Sequence, residues 1–323
     1  MRRGVLLFNL GGPETLDDIK PFLYNLFSDP DIIRIKNGVL RRTLARIIST
    51  LRHEKSKALY RQIGGGSPLR RVTDEQARAL AAALESKGRP TATYVGMRCW
   101  KPSIDDAVEQ ILRDGIEELV LLPLFPQYSV TTTGSCLKYF ESLAKNLGLS
   151  SKMRIATVRE WFSEPLYIKA MAGLIREATD GFPPDDEELC LLYSAHSLPA
   201  SYIEKGDPYF EQTKKTVELI NAELGRKHSF RLSFQSKVGP VRWLGPATMD
   251  VLLELGRNDT RRVVVVPVSF VSDHIETLQE IDISYRDVAL SAGIKDFRRV
   301  AALNTHPAFI EALAAIVLNA LKR

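Results

Sequence analysis

"VVVVPVSFVSDHIETLQEID", residues 263–282, sets an unbroken valine run just ahead of Asp273, His274, Glu276, Glu280 and Asp282. A run of β-branched residues with no polar face reads as a strand buried on both sides, as in the middle of a parallel sheet. The ionisable residues then lie at the strand's carboxyl end, where open parallel sheets bind their ligands.

Working outward, the same alternation of short apolar runs with helical periodicity fills the chain. "GVLLFNL" (4–10), "TATYVGM" (91–97), "ELVLLPLF" (118–125) and "RIATV" (154–158) alternate with "SIDDAVEQILRDG" (103–115) and "SCLKYFESLAKNLG" (135–148). "CLLYSA" (190–195), "FRLSFQ" (230–235) and "RVVVVPVSF" (262–270) alternate with "FEQTKKTVELINAELG" (210–225) and "PATMDVLLELG" (246–256). The predicted class is α/β, with parallel sheets flanked by helices. Sliding the chain by 144 residues places Pro102 on Pro246, Asp106 on Asp250 and Pro123 on Pro267, and "LLFNLGGP" (6–13) resembles "LLYSAHSLP" (191–199). Two similar Rossmann-like domains facing one another explain the echo. We expect an N-terminal domain over 1–160, a C-terminal domain over 161–303, and a closing helix over 304–323.

A length of 323 residues suits two domains, and 45% apolar with 26% charged residues is ordinary for a soluble globular chain. No apolar run approaches the roughly 18 residues of a membrane-spanning helix. The opening "MRRGVLLFNLGGPETLDD" has a basic end and an apolar run but leads into acids, so we read it as a first buried strand and expect a cytoplasmic protein. Cys99, Cys136 and Cys190 are few and far apart, which fits buried thiols in a reducing compartment. The net charge of +5 suits an anionic substrate, a membrane surface or neither. No basic stripe interleaved with aromatics appears, so nucleic acid is not an expected partner.

Gly11-Gly12-Pro13 and Gly64-Gly65-Gly66-Ser67-Pro68 match neither GxGxxG nor the P-loop pattern; they suit tight turns or close approach to a ligand, and no nucleotide cofactor is expected. His196 directly follows the strand "CLLYSA", and His274 with Glu276 follows "VVVVPVSF" in the equivalent place. If both strands point to one cleft, His196 and Glu276 form an imidazole–carboxylate pair able to bind a divalent metal or move protons. Glu276 and Glu280, four apart, share a helical face. The helix macrodipole accounts for Asp273 and in part for Glu276, but not for His274 or for a second carboxylate one turn further in.

"LGGPETL" (10–16), "RQIGGGSPL" (61–69), "FPQYSVTTTGS" (125–135), "SAHSLP" (194–199), "FQSKVGPVRWLGPAT" (234–248) and "SDHIETLQEID" (272–282) together resemble the ferrochelatases, which insert ferrous iron into a porphyrin in haem biosynthesis. The resemblance implies two Rossmann-type halves with a porphyrin cleft between them. It assigns iron to His196 and Glu276, gives His274 and Glu280 supporting acid–base or delivery roles, and implies a π-type turn in the helix that carries them. Leu10, Met97, Trp243 and Leu244 match porphyrin-contact stretches, while Ser67, Arg98 and Lys237 are candidates for the substrate's propionates or for cleft structure. Fe²⁺ is then a substrate, with no organic cofactor. Val130 stands at a cluster-ligating cysteine position of the animal enzymes and a cysteine-bearing C-terminal extension is missing, so no iron–sulfur cluster is expected. Leu10 stands where coproporphyrin-using relatives carry tyrosine, which favours protoporphyrin IX over coproporphyrin III. A chelatase for another tetrapyrrole and a non-catalytic tetrapyrrole carrier are the remaining alternatives. Residues 22–49 mix apolar side chains with Arg34, Lys36, Arg41, Arg42 and Arg46, and in the family form a lip over the cleft; peripheral membrane contact through them is expected.

Overall fold

The computed structural model describes residues 1–183, 186–225 and 228–322. Arg323, the last residue of the expected closing helix, lies outside the described residues. The chain divides into two compact units, Met1–Trp161 with Ile310–Arg323, and Phe162–Phe309.

The first unit runs β1 (Arg3–Asn9), α1 (Ile19–Ser28), α2 (Gly38–Arg61), α3 (Leu69–Ser86), β2 (Ala92–Met97), α4 (Ile104–Arg113), β3 (Glu118–Pro123), α5 (Thr133–Leu147) and β4 (Arg154–Thr157). Its parallel sheet has the order β2-β1-β3-β4. β1 and β3 are central, which is why their sequences are continuous apolar runs. Leu6, Phe8, Leu119 and Leu121 pack with Ile104, Val108 and Ile111 of α4 and with Leu137 and Phe140 of α5. Val5, Leu7, Val120 and Leu122 are equally buried, and strand alternation turns them to the opposite face. α4 begins on a reciprocal cap between Ser103 and Asp106. The expected amphipathic stretch over 22–49 breaks at Asp29-Pro30, and α2 restarts where the Asn37 side chain accepts from the N–H groups of Val39 and Leu40.

The second unit runs α6 (Pro165–Ala178), β5 (Leu189–His196), α7 (Ala200–Glu204), α8 (Tyr209–Leu224), β6 (Ser229–Gln235), α9 (Thr248–Arg257), β7 (Arg262–Pro267), a π-helix (Glu276–Tyr285), α10 (Arg286–Ser291) and β8 (Asp296–Arg299). α11 (Pro307–Leu321) follows. The sheet order β6-β5-β7-β8 repeats that of the first unit, again all parallel. Cys190, Leu192, Val263 and Val265 pack with Val251, Leu252 and Leu255 of α9, Ile281 and Tyr285 of the π-helix and Phe297 of β8. The valine run is therefore a central strand, buried on both faces. In such a sheet the strand order reverses between β5 and β7, and the crevice beyond their carboxyl ends is the expected ligand position. Among the described residues no helix is long and apolar enough to cross a membrane.

Candidate active site

β5 ends on His196, and the chain leaving β7 passes beside it. Pro267 has no N–H, and Val268 makes the last ladder bond, to the Ser194 carbonyl at 3.1 Å. The N–H of His196 instead donates to the Ser269 hydroxyl at 2.9 Å, and its carbonyl accepts the Tyr209 hydroxyl at 2.9 Å. Side chains thus hold the His196 backbone on both sides.

His196 Nδ1 lies 2.9 Å from Glu276 Oε2. An ionised carboxylate only accepts, so Nδ1 carries the hydrogen and Nε2 is left with a lone pair when the ring is neutral. His274 Nδ1 donates in turn to the Ser272 carbonyl at 2.9 Å, which turns its Nε2 toward Glu276 Oε2 at 3.7 Å. Phe270 packs against both imidazoles, at centroid distances of 4.6 Å from His274 and 6.3 Å from His196. Glu276 therefore sits between two histidines, and its Oε1 carries no hydrogen bond among the described residues.

Burial works against the charged form of His196, but the Glu276 charge, the hydrogen bond to it and the Glu280 charge outweigh burial and raise the imidazole above an ordinary histidine. Burial pushes Glu276 up, yet the two histidines overcome it and hold the carboxyl well below the usual carboxylate range. The pair is thus an ion pair whose proton rests on His196.

The other acids of the quoted stretch are engaged elsewhere. Asp273 accepts from Arg299 at 3.1 Å, Asn304 at 2.8 Å and Thr277 at 2.9 Å, and Asp282 pairs with the same guanidinium at 2.8 Å. Glu280, expected in a supporting acid–base or delivery role, is surrounded by donors. Oε1 accepts from the Ser236 N–H at 3.0 Å and the Tyr285 hydroxyl at 2.8 Å, and Oε2 from Gln235 Nε2 at 3.1 Å and the Ser236 hydroxyl at 2.5 Å. Four donors fill a carboxylate, so Glu280 has no free lone pair for a cation. The π-helix bonds residue i to i+5, which is why Tyr285, five residues on, reaches Glu280.

The expected porphyrin-side residues divide. Leu10 follows β1 half-buried, Trp243 is half-buried, and Lys237 is exposed just after β6. Met97 is only 1% exposed at the end of β2, so its side chain fills the core and offers no surface to a ligand. Arg98 is not free for a propionate. Its guanidinium pairs with Asp29 at 3.0 Å, donates to Ser135 at 2.9 Å and lies over Tyr139. The Ser67 hydroxyl is buried and accepts the Leu69 N–H at 3.3 Å at the start of α3. Gly11, at φ +89°, could not carry a Cβ, which would lie 2.6 Å from the Trp100 side chain. Gln235, Ser236, Ser269, Tyr209, Phe270 and Tyr285 belong to the histidine site but were not singled out from the sequence. Gln235 is the last residue of β6, Ser236 follows it, and Ser269 and Phe270 lie just past β7; that position at strand ends is their one legible signal.

A ferrochelatase family model matches residues 2–321. The chain belongs to the ferrochelatase family. It is 53% identical over 319 residues to a ferrochelatase of Thermosynechococcus vestitus, covering 98% of this chain and 82% of that protein. It is 50% identical to one of Gloeobacter violaceus, covering 98% and 97%. It is also 49% identical to chloroplastic ferrochelatase-2 of Cucumis sativus, covering 98% and 63%. Family membership makes the chain an enzyme, a porphyrin metal chelatase of haem biosynthesis. Among solved structures, SirB from Bacillus subtilis with Fe³⁺ is similar at a TM-score of 0.60 and 13% identity, covering 99% of this chain and 96% of that one. That likeness is one of fold, and it agrees with paired Rossmann-like sheets.

Proposed function

We propose that the chain inserts Fe²⁺ into protoporphyrin IX, giving protohaem and two protons, with iron as a substrate. The observation that carries the reading is the 2.9 Å His196–Glu276 pair at the β5/β7 switch point. Metallation must strip water from the ion and remove two pyrrole N–H protons. His196 Nε2 accepts a proton once the ring is neutral, and Glu276, which orients the ring through Nδ1, offers Oε1 to the iron as a hard oxygen donor. His274, fixed through its own Nδ1, stands by Glu276 to pass protons onward. On this reading residues 1–160 supply the porphyrin lip, with Leu10 favouring the less polar protoporphyrin, and residues 161–303 supply the metal-handling groups. Lys237 and Trp243 border the ring.

Anaerobic incubation with Fe²⁺ and either protoporphyrin IX or coproporphyrin III, followed by visible absorption, tests the reading. A kcat/KM ratio favouring protoporphyrin IX supports it. A ratio favouring coproporphyrin III replaces the substrate, and no metallation of either porphyrin defeats the reading.

The reading includes a cytoplasmic enzyme that touches the inner membrane face through residues 22–49. Val39, Leu40 and Ile47 are exposed on α2 beside exposed Arg42 and Arg46, and Leu51 extends the same stripe. A hydrophobic stripe with basic flanks suits an anionic lipid surface.

A further inference from the structure

We infer that Glu280 is a positioning residue rather than a carrier of iron or protons: with Gln235, Ser236 and Tyr285 it locks the carboxyl end of β6 to the π-helix and so fixes Glu276 against His196. The inference rests on the His196–Glu276 pair being the reacting pair. Gln235 is the hub. It is 1% exposed and stands directly beside His196 in the β5–β6 register. Its Oε1 accepts the Ser194 hydroxyl at 2.6 Å, while Nε2 donates both to the Glu276 carbonyl at 3.2 Å and to Glu280 Oε2 at 3.1 Å. Both of the latter are acceptors, which sets the orientation of the amide. One buried side chain therefore spans from the strand pair that ends in His196 to the first residue of the helix that carries Glu276.

Glu280 supplies the other half of the lock. Ser236 turns the chain out of β6 at φ +66°, in the left-handed region that residues other than glycine seldom adopt. Glu280 holds that turn by accepting from both the Ser236 N–H and its hydroxyl. Tyr285 completes the shell. Burial and the adjacent Glu280 charge push its phenol up, so the hydroxyl stays a donor. Partners of this kind, one bond removed from the reacting groups, are commonly worth about ten- to a hundredfold in activity.

Three variants of the full chain test the lock, each checked for folding by circular dichroism and for porphyrin affinity by fluorescence. Glu280→Gln removes the acceptor that Gln235 and Ser236 share, and Gln235→Glu removes both donated bonds. Each is expected to lower kcat about tenfold, with KM for Fe²⁺ within about twofold of the parent, because the bond lost orients the pair and does not touch the ion. The swapped variant Gln235→Glu with Glu280→Gln restores a donor–acceptor pair between the two positions, though not the bond to the Glu276 carbonyl, and is expected to recover part of the kcat lost in Gln235→Glu. KM for Fe²⁺ rising about tenfold at unchanged kcat would show that Glu280 meets the ion and overturn the inference. An unchanged kcat in Glu280→Gln, or a swapped variant no faster than Gln235→Glu, would overturn it too. If these variants misfold, Ser236→Gly is compatible with φ +66° and removes only the hydroxyl bond to Glu280. A kcat loss of about threefold supports the lock there, and none opposes it. Turnover in His196→Ala would instead defeat the reacting-pair reading, whatever the Glu280 variants do.

Discussion

At the scale of the residue, the proposed mechanism has the His196–Glu276 pair tie catalysis and stability to pH in ways with determined signs. The proton-accepting form of His196 is neutral, so activity falls as the pH drops through its raised pKa, and the acid limb of kcat is expected above the ordinary histidine value of about 6.5. Glu276→Gln removes the main anion that raises this pKa and leaves burial, which lowers it, opposed by the smaller influence of the Glu280 charge. The limb is expected to move down by about one pH unit or more, read from a pH–rate profile. A limb that stays in place would mean that Glu276 does not control the proton on His196. For stability, a raised histidine contributes below its unfolded pKa and loses that contribution as pH rises through the folded value. A depressed carboxylate contributes above its unfolded pKa and loses it as pH falls. Wild type and Glu276→Gln should therefore differ most in urea midpoint between about pH 4.5 and 6.5, and least in mild alkali or strong acid. Ser269→Ala removes the acceptor for the His196 N–H; a loss of about 1 kcal/mol in urea unfolding is expected, together with a several-fold fall in kcat.

At the scale of the element, the π-helix and β8 are joined by one guanidinium. Arg299, with its side chain 11% exposed, neutralises both Asp273 and Asp282, at 3.1 and 2.8 Å. Arg299→Met would leave two carboxylates uncompensated in a half-buried setting, and a loss of about 3 kcal/mol is expected from equilibrium urea unfolding. A loss under about 0.5 kcal/mol would show the pairs to be solvent-screened surface contacts. β8, "DFRR", was not foreseen in the sequence. It is a short edge strand whose charged side chains are ordered by partners distant in the chain, and no apolar alternation announces it. The central strands were legible for the opposite reason. Burial on both faces leaves "LLFN", "LVLLP" and "VVVVP" almost nothing polar to carry. The π geometry was not legible from the residues themselves. Glu276 and Glu280 fit an α-helical face as well as a π one, and what separates the two is backbone bonding from i to i+5, as where the Arg286 N–H reaches the Ile281 carbonyl.

At the scale of the whole molecule, two units share one strand order, and the 144-residue echo is that order seen in sequence: β3 and β7 run from 118 to 123 and from 262 to 267. The position of the candidate site was legible because strand carboxyl ends gather ligands in any such sheet. The partners of each acid were not, because Asp273, Glu280 and Asp282 are engaged by Arg299, Gln235 and Ser236, residues far off in the chain or without a motif of their own. Of the closing helix read over 304–323, α11 spans Pro307–Leu321, and from Ile310 on it clusters with the first unit, where Leu318 and Leu321 border Arg3, Arg89 and Glu118. The exposed stripe on α2 gives a further expectation. Ile47→Glu with Leu51→Glu should abolish co-sedimentation with phosphatidylserine vesicles while leaving far-UV circular dichroism unchanged, since both side chains are more than half exposed. Equal recovery of parent and variant in the supernatant would remove the membrane from the scheme.

The most direct measurement is metallation by His196→Ala, followed anaerobically by absorption, beside porphyrin binding to the same variant by fluorescence titration. Loss of turnover to the uncatalysed rate with porphyrin affinity kept within about threefold is expected, because in the proposed mechanism the imidazole takes the pyrrole proton and does not hold the ring. Turnover near that of the parent enzyme would contradict the central role given to the His196–Glu276 pair.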